Sequence, residues 1–412
     1  MLITGIDVAS KGIRLTGLTT LPSASTEWST SQATEGLREK EGEPRLKESS
    51  ILFVSVNTVY GGGETHVENV ARMLNPSCSL YAIVFDPTLA RNLRTQGVQV
   101  YHLSLFPKCA RSLQVLHALV VLPRVLIRHN IQIVQVTGTI ETLLLPVARA
   151  LGCTSISIRH LVPFFGDGAW YKKLRRLLIE AAYFVGILCA HRVICVSETV
   201  GQGMRRLTSD KRVVVIPNWV PAMPSRRSRR TRKSSLRLLF VGRLEHYKGL
   251  HLLFEALRDM SGYELIVLGD GSERSSLQVL AKGLSVQFYG FHPSPADYYS
   301  DADIFIMPSL GPEGLPLVTI EAMSHGLPCI LSDLEVHREL SHNGAAAMLF
   351  KCGDPADLRS QLHTLLESHA DRIKYGDAAY ETVLRRHSPD VARAAYLSAF
   401  HLREPEVRVN TA

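Results

Sequence analysis

Residues 236–249 read Leu236-Arg237-Leu238-Leu239-Phe240-Val241-Gly242-Arg243-Leu244-Glu245-His246-Tyr247-Lys248-Gly249. The first six form an apolar run of strand length, and the segment between the two glycines leads into the next helix pattern. Near-continuous apolar strands separated by helices imply a parallel sheet covered on both faces. The same alternation continues through Leu265 to Leu268, Val286 to Tyr289, Ile304 to Met307 and Cys329 to Leu331. It also runs ahead of this stretch, through Ile51 to Val56, Leu80 to Phe85, Val98 to Leu103, Ile131 to Val136, Thr154 to Ile158, Val193 to Val196 and Val213 to Ile216. The arginine-rich segment Ser225 to Ser235 separates the two series. The expected fold is therefore α/β, with two doubly wound Rossmann-like domains facing a cleft, and the ligand at the carboxyl ends of both sheets.

The expected boundaries are a flexible extension over 1–50, a first domain over 51–222, a basic linker over 223–235, a second domain over 236–385, and a C-terminal helix and tail over 386–412 able to pack back on the first domain. The extension is rich in Ser, Thr, Glu and Lys without sustained periodicity. Asp7 and the polar run Thr16 to Thr26 spoil the apolar region a signal peptide would need.

A length of 412 residues with 46% hydrophobic and 20% charged residues excludes collagen-like, wholly disordered and coiled-coil classes. No apolar run approaches the roughly 18 residues of a membrane span. The seven cysteines form no CxxC pair and no metal-ligand spacing, which fits a reducing cytoplasm. Of the net charge of +8, six charges come from Arg226, Arg227, Arg229, Arg230, Arg232 and Lys233, so the rest of the chain is nearly balanced. A nucleic-acid binder spreads its basic residues over a face with aromatics between them, and that class ranks low.

Three segments could carry chemistry. After the run Ile304 to Met307 comes Glu313-Gly314-Leu315-Pro316-Leu317-Val318-Thr319-Ile320-Glu321. Gly314 permits close backbone approach, Pro316 suits a helix start, and the free amides of the next turn face an anion such as a diphosphate. Glu313 and Glu321 could accept from two different sets of hydroxyls, although each is also an ordinary choice for a turn and a solvated helix position. In the second segment, Arg243 offers a rigid fork and Lys248 a point charge, which together can neutralise a diphosphate without a metal. In the third, Gly61-Gly62-Gly63 follows a strand and opens a helix, so its amides could reach a phosphate, and a tight turn explains it equally well.

Together these segments resemble the retaining GT-B glycosyltransferases of family 4, also called group 1, from about Ile51 to Asp357. Ser157-Ile158-Arg159-His160, Arg192 to Glu198, Val215-Ile216-Pro217-Asn218, Gly269-Asp270-Gly271 and Ala302 to Ser309 agree with that resemblance. It implies that Arg243 and Lys248 hold a donor diphosphate, Glu313 the transferred sugar, Glu321 the nucleotide ribose, and the loop Gly314, Leu315, Pro316 and Leu317, through the N–H groups of its non-proline residues, the sugar and phosphate. His160 would face the reacting sugar, Gly62 and Gly63 would approach the phosphates, and Gly269 and Phe291 would line the nucleotide pocket. Asn218 is placed among the substrate-binding residues on the same ground.

The implied activity is metal-independent transfer of a sugar from a nucleotide-diphosphate sugar to a glycan or lipid-linked acceptor, without a cofactor, at the inner face of the cytoplasmic membrane. The alternatives are a non-catalytic nucleotide- or glycan-binding module on the same scaffold, and a nucleotide-sugar epimerase, for which no acid/base set is visible. Two features depart from the pattern. Trp219 stands where the family usually has glycine, and Pro221 where an acidic residue is common. Asp301-Ala302-Asp303 looks like a metal-binding DxD motif but opens an apolar strand, so it is read as structural. Trp170 to Ala190 reads as an amphipathic helix with a basic face that could touch an anionic membrane, and a core-packed helix with that face solvated explains it equally well.

Overall fold

The structure, a computed structural model, describes residues 49–58, 60–75, 77–103, 111–161, 181, 183–224, 235–292 and 295–402. The expected extension (except Ser49 and Ser50), most of the basic linker, the greater part of the Trp170 to Ala190 segment and the end of the tail lie outside these residues.

Seven strands precede the linker: β1 Ser50–Ser55, β2 Ser79–Val84, β3 Gln99–His102, β4 Ile133–Thr137, β5 Thr154–Arg159, β6 Arg192–Cys195 and β7 Val213–Val215. They pair in the order β3-β2-β1-β4-β5-β6-β7, all parallel. Six follow it: β8 Leu236–Val241, β9 Tyr263–Leu268, β10 Val286–Gly290, β11 Ile304–Met307, β12 Cys329–Ser332 and β13 Met348–Phe350. Their order is β10-β9-β8-β11-β12-β13, again all parallel. Central strands such as Ile51 to Val54 and Leu238 to Phe240 are buried throughout, because helices cover both faces.

In each sheet the strand order reverses beside the first strand, between β1 and β4 and between β8 and β11. Loops leaving adjacent strands at such a point diverge to opposite faces and open a crevice. The segments after β1, β8 and β11 are those carrying the triple glycine, Arg243 with Lys248, and Glu313.

At the opposite end of the second sheet, Asp303 accepts from the Arg237 backbone N–H at 2.8 Å, and Asp301 pairs with the Arg237 guanidinium. These aspartates join the starts of β8 and β11, at the far end from the crevice.

One apolar core runs from the first sheet through Trp219 and Val220 into the second domain, and another fills the remaining face of the first sheet. The helix Pro389–Ala399 lies against the first domain, where Arg393 donates to the Met73 carbonyl at 2.6 Å.

Candidate functional site

Lys248 closes a short 3-10 turn after β8, and Gly249 follows it with φ +69°. A Cβ at Gly249 would lie 1.9 Å from the Pro308 carbonyl oxygen, so only glycine lets the turn seat against the loop after β11. That contact brings the two loops together. Lys248 Nζ donates to Glu313 Oε1 at 2.6 Å, with both side chains about nine-tenths buried. Ser309 Oγ also donates to Glu313 Oε1, at 2.7 Å. Ser309 is held in turn by Ser332, whose hydroxyl donates to the Ser309 carbonyl at 2.6 Å. The buried His337 donates through Nδ1 to the Ser332 carbonyl at 2.8 Å, and burial lowers its pKa below the usual imidazole range.

Arg243 is not brought to this pair. Its side chain is 66% exposed and bonds Glu245 at 3.0 Å, while Glu245 also accepts from Ser272 Oγ at 2.6 Å. Gly269 lies beside it with φ +137°, where a Cβ would be 1.8 Å from the Gly242 carbonyl oxygen. The Gly269 N–H donates to Gly290, which places the exposed Phe291 at the same edge.

Pro316 caps the helix Leu317–Ser324 in an extended conformation. Thr319 N–H already bonds the Pro316 carbonyl, which leaves the amides of Leu317 and Val318 as the first-turn donors of this helix. Within the helix, Glu321 accepts from the buried Tyr299 hydroxyl at 2.9 Å, and burial raises the carboxyl above its ordinary range.

Across the crevice, a Cβ at Gly314 would sit 1.6 Å from the His160 carbonyl oxygen, so the loop after β11 touches the end of β5 backbone to backbone. Gly63 lies close to the His160 ring, while Gly62 meets nothing nearby. The His160 Nε2 has no hydrogen-bond partner among the described residues. Burial, with His66 and Arg159 adding to it, holds that imidazole well below the usual range and neutral at pH 7. Glu64, just past the triple glycine, is buried and accepts from Ser55 at 3.1 Å and Asn57 at 2.8 Å, pinning the loop to β1.

Asn218, expected among the substrate-binding residues, is 3% exposed, and its amide is engaged by His66 and by the Leu315 carbonyl. It joins the first domain to the Gly314–Leu317 loop of the second. Ser309, Tyr299, Glu64 and His66 were absent from the sequence-derived site. Their partners lie far off in sequence or their residue types are too common, and only the position of Glu64 beside the triple glycine offered a signal.

Two family models match the chain in succession: Glycosyltransferase Family 4 over residues 60–222 and Glycosyl transferases group 1 over residues 235–368. The chain belongs to the GT-B glycosyltransferases of the family 4, group 1 type. The chain is similar to the lipopolysaccharide core biosynthesis glycosyltransferase LpsE of Rhizobium meliloti, 27% identical over 39% of this chain and 48% of its own. The phosphatidyl-myo-inositol mannosyltransferase of Mycobacterium leprae is 32% identical over 36% of this chain and 42% of its own. The chain thus spans about half the length of these relatives. Among solved GT-B structures, sucrose-phosphate synthase from Thermosynechococcus elongatus superposes with a TM-score of 0.73 at 16% identity, covering 85% of this chain and 98% of its own. Anabaena HepE in complex with UDP and glucose gives 0.70 at 16% identity, over 84% and 98%.

Proposed function

We propose that this glycosyltransferase moves a sugar from a nucleotide-diphosphate donor to a glycan or lipid-linked acceptor, with retention of anomeric configuration and without a metal, in lipopolysaccharide, glycolipid or polysaccharide synthesis. The observation that carries the reading is the Lys248–Glu313 pair, set at the strand-order reversal of the second sheet, on the loop whose Gly314 meets His160.

In this reading Lys248 and the amides of Leu317 and Val318 face the departing diphosphate, and the exposed Arg243 swings in to add charge. Fixed donors aimed at developing negative charge lower the barrier most where water is excluded. Glu313, oriented by Ser309, accepts from sugar hydroxyls, and Glu321, oriented by Tyr299, accepts from the ribose. His160, neutral and with Nε2 unpaired, accepts from or donates to the sugar beside its anomeric carbon. The acceptor attacks from the face the diphosphate leaves, and a leaving-phosphate oxygen takes its proton. Metal independence is supported by the engagement of Asp301 and Asp303 with Arg237, away from the crevice.

The acceptor class draws on the relatives' names, which include a lipopolysaccharide core enzyme and a phosphatidylinositol mannosyltransferase. The test is transfer from UDP-, GDP- and ADP-sugars by EDTA-treated protein, with the anomeric configuration of the product read by NMR. Retained configuration at an undiminished rate is expected. An inverted product, or a rate restored only by a divalent cation, contradicts the reading.

A further inference from the structure

We infer that Asn218 is a positioning residue, held by a one-way hydrogen-bond relay through His66 and Tyr396, that fixes the Leu315 carbonyl and with it the Gly314 to Leu317 loop against His160. The direction of the relay follows from donor and acceptor chemistry. Asn218 Nδ2 lies 2.6 Å from the Leu315 carbonyl oxygen, and only the amide NH2 can donate there. The amide oxygen therefore faces His66 Nδ1, 3.1 Å away, and that nitrogen must carry the proton. In a neutral ring the other nitrogen, Nε2, is then an acceptor, and the Tyr396 hydroxyl donates to it at 2.7 Å. The acceptor-only Leu315 carbonyl thus sets the sense of the whole relay, and the Tyr396 hydroxyl on the C-terminal helix completes it as the donor.

Burial lowers His66 to a pKa of about 4, which keeps the ring neutral and the relay in this sense near pH 7. The ring faces are occupied as well. His66 meets His160 edge-on at 4.8 Å between centroids and Trp219 at 5.2 Å, and Trp219 reaches Tyr396 at 5.2 Å. The tryptophan that departs from the family's usual glycine thus fills the space around the relay. Its backbone neighbours are tied too: the Val220 N–H donates to the His387 carbonyl at 3.0 Å, and His387 Nδ1 donates to the Asn218 carbonyl at 2.7 Å.

The catalytic meaning of this relay rests on the glycosyl-transfer reading, and its physical existence does not. The test is hydrogen–deuterium exchange at pH 7 on the wild type, Tyr396→Phe, Asn218→Asp and, as a packing control, Trp219→Phe. Tyr396→Phe removes the first donor without touching the second domain, and Asn218→Asp cannot donate to Leu315. Both are expected to speed exchange in residues 311–320 about tenfold, the worth of one net hydrogen bond. Exchange in β12 should stay unchanged, and Trp219→Phe should leave residues 311–320 near wild type. Unchanged exchange there in both relay variants overturns the proposal, as does equal acceleration in both domains. A parallel titration with UDP, GDP and ADP separates the two readings. Weaker binding in Asn218→Asp of whichever nucleotide the wild type takes supports the positioning role, and undiminished binding overturns it. If the wild type binds none of the three, glycosyl transfer fails while the exchange result still decides the relay.

Discussion

His66 shows at the scale of one residue how burial and hydrogen bonding divide the work. It is fully buried, and desolvation moves its pKa from 6.5 to about 4, against a smaller raising effect of the Asn218 bond. The unfolded chain binds a proton at this residue below pH 6.5 and the folded chain only near pH 4. The stability it contributes is therefore complete above pH 6.5 and is lost as pH falls toward 4. Replacing His66 by Phe should make the unfolding free energy fall less steeply with decreasing pH over that window, by up to about 1.4 kcal/mol per pH unit. Urea unfolding at several pH values measures this, and equal slopes in variant and wild type would count against the neutral buried ring. Residues of this kind were hardly legible in the sequence. Lys248, Glu313 and Glu321 stand out more readily as candidates, because each sits in a short segment of distinctive composition. His66 draws its role from Tyr396, 330 residues away, and nothing in the string of letters joins them. Asn218 stands in a recognisable segment, but its residue type suits a sugar hydroxyl as well as it suits the Leu315 carbonyl, so its bond across the domains is not readable from the sequence.

Among the elements, the clearest coupling is between two helices from different domains. Glu339, on the helix Glu335–Leu340, accepts at 2.7 Å from the Glu198 N–H and at 3.0 Å from the Thr199 N–H, with the Thr199 hydroxyl at 2.9 Å. These amides open the helix Glu198–Arg205, which Ser197 also caps through the Val200 N–H. A carboxylate from the second domain thus satisfies helix-start donors of the first, where the helix dipole favours negative charge. Glu339→Ala should cost about 1–2 kcal/mol in urea unfolding. Stability equal to wild type would show that water replaces the carboxylate without loss. The strands themselves were largely readable, because fully buried parallel strands appear as unbroken apolar runs. β13 escaped because it has three residues at the sheet edge with Met348 and Leu349 half-buried, too short for a periodic signal.

At the scale of the whole molecule, one outer face of the first domain carries a run of exposed apolar side chains. Leu113, Leu116, Val120 and Ile127 are exposed along the helix Arg111–Arg128, which carries no acidic residue, and Phe184 and Leu188 are exposed nearby on the same side of the sheet. No helix among the described residues is long and apolar enough to cross a membrane. An apolar stripe flanked by Arg124 and Arg128 suits the surface of an anionic bilayer, and we propose peripheral contact there. Vesicles rich in phosphatidylglycerol should retain the protein in co-sedimentation at low salt, and Val120→Glu with Ile127→Glu should release most of it. Equal retention of wild type and double variant would exclude this face. The expected amphipathic helix at Trp170 to Ala190 lies mostly outside the described residues, so its share in that contact is not assigned.

Both domains converge where the loop carrying Glu313, paired with Lys248, meets His160 through Gly314, and the proposed donor diphosphate binds there. The most direct measurement is thermal unfolding of wild type and Lys248→Ala with UDP, GDP and ADP at increasing concentration. A ligand that binds only the folded chain stabilises it by about 2.7 kcal/mol at a hundred times its Kd. One nucleotide should raise the wild-type melting temperature in this saturable way and leave Lys248→Ala nearly unmoved. An equal rise in both proteins would place the diphosphate elsewhere, and no rise with any nucleotide would contradict the donor site itself.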